Sequence, residues 1–205
     1  MSLQTWLLYL LAAIGLSLSP GPNSLLALTH GALHGPRRTL ATVAGGALGF
    51  TVLIALSMFG IGALLASSAG WLTLLKWLGG AYLVWLGVQV WRSPPIELDP
   101  AALRDVGVVR GIVLFRQGLL SALTNPKALL FFVAFLPQFV DPRRDLVLQF
   151  AVMAGTFAAI EIATEVFIAA GAQRLRPWLE RVGRRFNQAC GGLFVLIGAA
   201  LPLRG

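Results

Sequence analysis

The sequence has almost no cysteine, few charges and very few acids. Its 205 residues include a single cysteine, Cys190. One thiol excludes an intrachain disulfide and a CxxC redox pair. Inside its apolar run, Cys190 reads as a small packing residue. Charged residues make up 12% of the chain, about half the share of an average soluble domain. Aspartate and glutamate number 8, against 16 lysines and arginines. There is no P-loop, no GxSxG and no HExxH, so soluble-enzyme chemistry finds no motif here. The N-terminus also lacks a basic n-region and a clear cleavage site. The first apolar run is therefore expected to be a retained helix and not a signal peptide.

What is present is apolar. Hydrophobic residues make up 57% of the chain, and the mean hydropathy is +0.80. One soluble core of this size cannot hide that much apolar surface. A bilayer takes the place of water outside, and each span must then satisfy its own backbone. An all-α integral membrane protein in contact with lipid is expected. The basic excess is not the footprint of a nucleic-acid binder, because it lies in short stretches between apolar runs, where it sets membrane orientation.

Six apolar stretches stand out: roughly 6–31, 40–65, 72–91, 114–139, 146–172 and 189–203. The links after the first, third and fifth hold Arg37, Arg38, Arg92, Arg104, Arg110, Arg116, Arg174, Arg176, Arg181, Arg184 and Arg185. The opposite side holds only Lys76, Arg143, Arg144 and Arg204. The positive-inside rule then places both termini outside the cytoplasm of a multi-pass, bacterial-type inner-membrane protein. Residues 98–112 read equally as an amphipathic helix or a solvated loop, and 174–186 as an amphipathic helix on the cytoplasmic face.

Prolines interrupt the first and fourth stretches. Pro20 and Pro126 are 106 positions apart, close to half the chain. Each would open a unit of three helices, and an odd count inverts the second unit in the membrane. The expected architecture is a single membrane domain over 1–205. It comprises a first three-helix repeat (1–92), a cytoplasmic linker (93–113) and a second repeat (114–205), with helices one and four broken at mid-membrane.

The breaks carry the candidate site. In Ser19-Pro20-Gly21-Pro22-Asn23, two prolines around a glycine unwind the helix, and Ser19 or Asn23 is placed to cap the helix that restarts. Freed backbone groups at that depth are costly unless they meet a cavity, a ligand or other protein groups. In the second break, Asn125 and Pro126 precede Lys127. A charge at mid-helix costs at least ~2.5 kcal/mol by insertion scales. Lys127 is therefore expected to face the interior and meet an acid, a carbonyl or a substrate carboxylate. Glu161 and Glu165, spaced i, i+4, share one face of the fifth helix. Glu161 is a candidate proton carrier or a structural partner of Lys127. Glu165 is the second, weaker proton-coupling candidate, expected toward the membrane edge. His30 and His34 have a metal-compatible spacing, but no carboxylate or cysteine lies nearby in sequence, so a boundary role is expected and no metal site. Ala41, Gly45 and Gly49, and then Gly79, Gly80, Gly87, Gly191, Gly192 and Gly198, read as close-packing residues. Such faces permit a homodimer and serve equally well inside one bundle.

Taken in order, several motifs resemble the lysine-exporter superfamily, in particular its RhtB-type branch of amino-acid and homoserine/homoserine-lactone exporters. They are the segment Leu16 to Asn23, the segment Leu75 to Gly87, Leu123-Thr124-Asn125-Pro126-Lys127 with Phe135 to Phe139, Ala172-Gln173-Arg174, and Gly191 to Gly198. The resemblance spans nearly the whole chain. It implies proton-driven export of a small amino-acid-like substrate, with no cofactor. It also implies an acid in helix five, usually Asp, at the position Glu161 occupies here. Glu165 has no counterpart in that pattern. A metal-cation exporter of the wider superfamily is the rival reading, and an intramembrane enzyme a more distant one.

Overall fold

The computed structural model describes residues 1–19, 21–65, 109–141 and 143–172, with scattered helical positions between 77 and 92 and between 184 and 199. Pro20, Lys76, Cys190, most of the linker 93–113 and the 174–183 segment lie outside the described residues. All regular structure among the described residues is helical: α1 (Leu3–Leu18), α2 (Pro22–His34), α3 (Pro36–Leu65), α4 (Gly111–Leu123), α5 (Pro126–Phe135), a 3-10 turn (Leu136–Phe139) and α6 (Leu146–Ala170).

Among the described residues two helices are long and apolar enough to cross a bilayer, α3 and α6. Taken together, α1 and α2 are also long and apolar enough, with a bend of 53° at their junction. The expected first break is therefore real: α1 ends at Leu18 and α2 begins at Pro22. The second is real too, with α4 ending at Leu123 and α5 starting at Pro126. Proline opens both restarting helices, where its missing N–H costs nothing.

The bundle is apolar both inside and out. Along α6 the buried stripe is Gln149, Met153, Phe157, Glu161, Glu165 and Ala169. That is one residue per turn, and half of them are polar. Large apolar residues also point outward: Leu11, Leu48, Leu56, Leu120, Leu148 and Phe167 are all exposed, as lipid-facing side chains are. The interior is aromatic near one end. Phe50, Phe132 and Phe157 meet edge to face at 5.0–6.4 Å, and the Tyr9 hydroxyl donates to the Met153 carbonyl at 2.9 Å.

Small residues bring backbones together where the sequence expected it. A Cβ on Gly45 would lie 2.0 Å from the Phe115 carbonyl, and one on Gly118 would lie 2.0 Å from the Thr42 carbonyl. Only hydrogen fits at either position, so α3 and α4 touch main chain to main chain. Gly87 and Gly191 meet in the same way, with a Cβ on Gly87 2.6 Å from the Gly191 carbonyl. This joins the third and sixth apolar stretches.

The two ends of the bundle are also defined. The Arg144 guanidinium donates to the Met1 carbonyl at 3.3 Å, so the N-terminus and the α5–α6 link share one end. At the other, Gly31 abuts Ala169 and the His30 ring bonds Thr42 Oγ1 at 2.7 Å. The α2–α3 turn and the end of α6 therefore lie together.

Candidate functional site where the two helix breaks meet

Both breaks and the polar face of α6 converge. One narrow cavity is lined by Ser17, Gly21, Asn23 and Ser24 from the first break, Asn125 and Lys127 from the second, and Glu161 from α6. Phe50 and Phe157 close its apolar side. About 10 Å³ is open to the centre of a water molecule, room for about one water.

Lys127 joins the breaks. Its ammonium donates to the Ser19 carbonyl at 2.6 Å and to the Leu16 carbonyl at 3.2 Å. These belong to the last turn of α1, where carbonyls have no intrahelical partner and the helix dipole is negative. Backbone carbonyls are thus among the partners this lysine meets, and they come from the other break, while Glu161 lines the same cavity. Gly21 lets the ammonium lie close to the backbone: a Cβ there would lie 3.0 Å from Lys127 Nζ and would push the side chain aside by a few tenths of an ångström.

The second break is capped from within. Asn125 is buried, and its side-chain oxygen accepts from the amides of Lys127 at 3.1 Å and Ala128 at 3.3 Å. The first break is built differently, and here the expected capping is corrected. Ser19 ends α1 and does not start α2. The N-cap of α2 is Gly21, with no side-chain cap. Asn23 lies one residue inside α2 and turns outward from its own helix end, accepting from Ser121 Oγ of α4 at 2.6 Å. With a proline at the first helical position, Ser19 and Asn23 fall out of register for capping the amides that follow.

Glu161 and Glu165 are both buried, at 4% and 1% exposure. Glu165 is thus as buried within the protein as Glu161, one helical turn further along α6, and it packs with Asn23 against Gly46 of α3. A Cβ on Gly46 would lie 2.8 Å from Asn23 Nδ2 and 3.4 Å from Glu165 Oε2. Glu161 Oε2 and both oxygens of Glu165 have no hydrogen-bond partner among the described residues. Sequence reasoning did not single out Ser17, Ser24 or Gly46. Ser121, which with Lys127 is the pair an intramembrane hydrolase would need, instead donates to Asn23.

The two histidines lie apart from this centre, their rings 5.5 Å from each other. Among the described residues no group of three or more His, Cys, Asp or Glu comes together as metal ligands.

Interrupted helices with a lysine and two buried carboxyls between them are the kind of feature that marks functional positions in membrane proteins. The family model described as LysE type translocator matches residues 14–205. The chain belongs to the LysE type translocator family. It is a membrane transporter and not an enzyme. It is 35% identical over 204 residues to the homoserine/homoserine lactone efflux protein of Salmonella typhimurium, covering 98% of this chain and 97% of that one. It is 32% identical over 136 residues to the leucine efflux protein of Klebsiella pneumoniae subsp. pneumoniae, covering 66% and 63% respectively. A membrane protein of Vibrio cholerae described as uncharacterized is 37% identical over 203 residues, 98% of each. No solved structure matches the chain.

Proposed function

We propose that this translocator exports a small amino acid or derivative (homoserine, homoserine lactone, threonine or leucine) across the bacterial inner membrane, by alternating access coupled to proton antiport. One observation carries the reading: both broken helices deliver their polar groups to a single buried centre that also holds Glu161. The efflux relatives support the substrate class, since homoserine, its lactone and leucine all present an amino group.

In this reading the uncapped N-terminus of α2 takes the substrate's carboxylate or carbonyl end, with Ser19, Gly21 and Asn23 around it. Backbone carbonyls and Asn125 take the ammonium. Glu161 carries the proton, with Glu165 one turn away as its relay toward the α2–α3 end. Pro20, Pro22 and Pro126 contribute by keeping the backbone open. The cavity is too small for an amino acid, so loading requires the half-helices to part. The six-span, inverted-repeat topology with both termini outside the cytoplasm belongs to the same proposal. The shared end of Met1 and Arg144 supports it, as does the uneven distribution of basic residues between the links.

The test uses everted membrane vesicles with an acidic interior and labelled homoserine, threonine and leucine. Gradient-dependent uptake that is lost in Glu161→Gln is expected. Proton-driven uptake surviving intact in that variant would remove the coupling role.

A further inference from the structure

The Lys127 ammonium occupies carbonyls that a substrate ammonium would seek. We infer that Lys127 is a tethered competitor: it holds the substrate's place on the Leu16 and Ser19 carbonyls, and an arriving ammonium loads by displacing it toward Glu161. The inference rests on the exporter reading above and adds a coupling step to it.

Three observations carry it. First, two hydrogen bonds of the lysine go to main-chain oxygens at the negative end of α1, at 2.6 and 3.2 Å. Those oxygens suit any ammonium, whether tethered or free. Second, Glu161 lines the same cavity, is buried, and has an Oε2 with no hydrogen-bond partner among the described residues. It offers the displaced lysine a place to go without leaving the site. Third, the closed cavity admits about one water and no second cation with its side chain, so an ammonium arrives only as the half-helices part and must contend with Lys127 for the same two carbonyls. Two positive charges a few ångströms apart in that setting also repel strongly.

Displacement makes substrate and proton mutually exclusive. With Lys127 on the carbonyls, Glu161 holds its proton and the centre carries one positive charge. When a substrate ammonium takes the carbonyls, Lys127 moves to Glu161 and replaces the proton as its counter-charge. That proton leaves to water on the open side, while the substrate adds its own charge. When the substrate departs on the far side, Lys127 returns to α1 and Glu161 takes a proton from that side. One ammonium goes out for each proton that comes in. A lysine that merely bound the substrate carboxylate would give no such exclusion.

The two roles predict opposite effects on affinity. The experiment measures leucine and homoserine binding to purified wild-type protein, Lys127→Met and Lys127→Gln by calorimetry. It then measures exchange and gradient-driven uptake in vesicles. Removing a competitor that dominates the resting state should tighten binding about tenfold. Exchange of labelled for unlabelled substrate should persist, and gradient-driven accumulation should fall to background. Lys127→Gln retains a neutral donor for the α1 carbonyls and serves if Lys127→Met does not fold. Binding weakened tenfold or more in both variants overturns the inference and makes the lysine a substrate ligand. Wild-type affinity with full coupling overturns it as well. If the wild type itself binds and transports none of the amino acids, the exporter reading fails and the displacement step fails with it.

Discussion

The two helix breaks look alike in sequence and are wired differently. The second is self-sufficient: Asn125 satisfies the first amides of α5 from within its own turn. The first is not. No side chain caps the start of α2, and the end of α1 is satisfied by Lys127, donated from the other break. Near-matching interruptions thus give one finished end and one open end. The difference teaches where a ligand belongs. Backbone groups that already have partners are scaffold, and those held by a movable side chain, or by none, are available.

Four substitutions break or sharpen that contrast. The largest effect is expected from Glu161→Gln, which faces both breaks and keeps the shape of the cavity while removing the ionisable group. Gradient-driven transport should fall to background while substrate exchange survives. Next comes Asn23→Ala at the open break. It leaves the half-buried Ser121 hydroxyl without its acceptor, a loss of about 1 kcal/mol. Transport should drop about tenfold or more, with a modest change in thermal stability. Asn125→Ala at the finished break should reverse the balance. Losing a buried cap to two amides costs about 1–2 kcal/mol of stability, read as a lower melting temperature in detergent, with transport per folded molecule changed less than in Asn23→Ala. If the two asparagines behave identically, the breaks are equivalent and the contrast is wrong. The smallest effect is expected from Thr124→Ala. This exposed residue returns its hydroxyl to the Leu120 carbonyl of its own helix, and both stability (within about 0.5 kcal/mol) and transport should be near wild type.

Much of this was legible in the sequence for a physical reason. Proline and glycine act locally, so Pro22, Gly21 and Pro126 announced the breaks without knowledge of the rest of the fold. A charge in hydrocarbon is costly, so Lys127 announced itself as an interior residue. Which interior group it would meet was not legible. Its partners Leu16 and Ser19 lie more than a hundred residues away and contribute main-chain oxygens, which every residue has. Capping failed as a prediction because a shift of two residues in the start of α2, either way, would make Ser19 or Asn23 the N-cap in place of Gly21. The close approach of Asn23 to α3 was not legible either, because it depends on Gly46, a residue whose contribution is the absence of a side chain. The third and sixth apolar stretches were read correctly at Gly87 and Gly191, whose contact is again made by missing atoms. Gln149 was not singled out at all. Its amide nitrogen donates to the carbonyls of Asp141, Arg144 and Asp145, clasping the link before α6.

The main-chain contact between α3 and α4 at Gly45 and Gly118 has a mechanical consequence. With no side chains between them to slide or change rotamer, the two helices move as one plank. Any alternation of access has to pivot elsewhere, and the natural fulcra are the junctions at Ser19–Gly21 and Thr124–Asn125. There the helical hydrogen-bond ladder is already interrupted, so a swing of either half-helix costs no rungs.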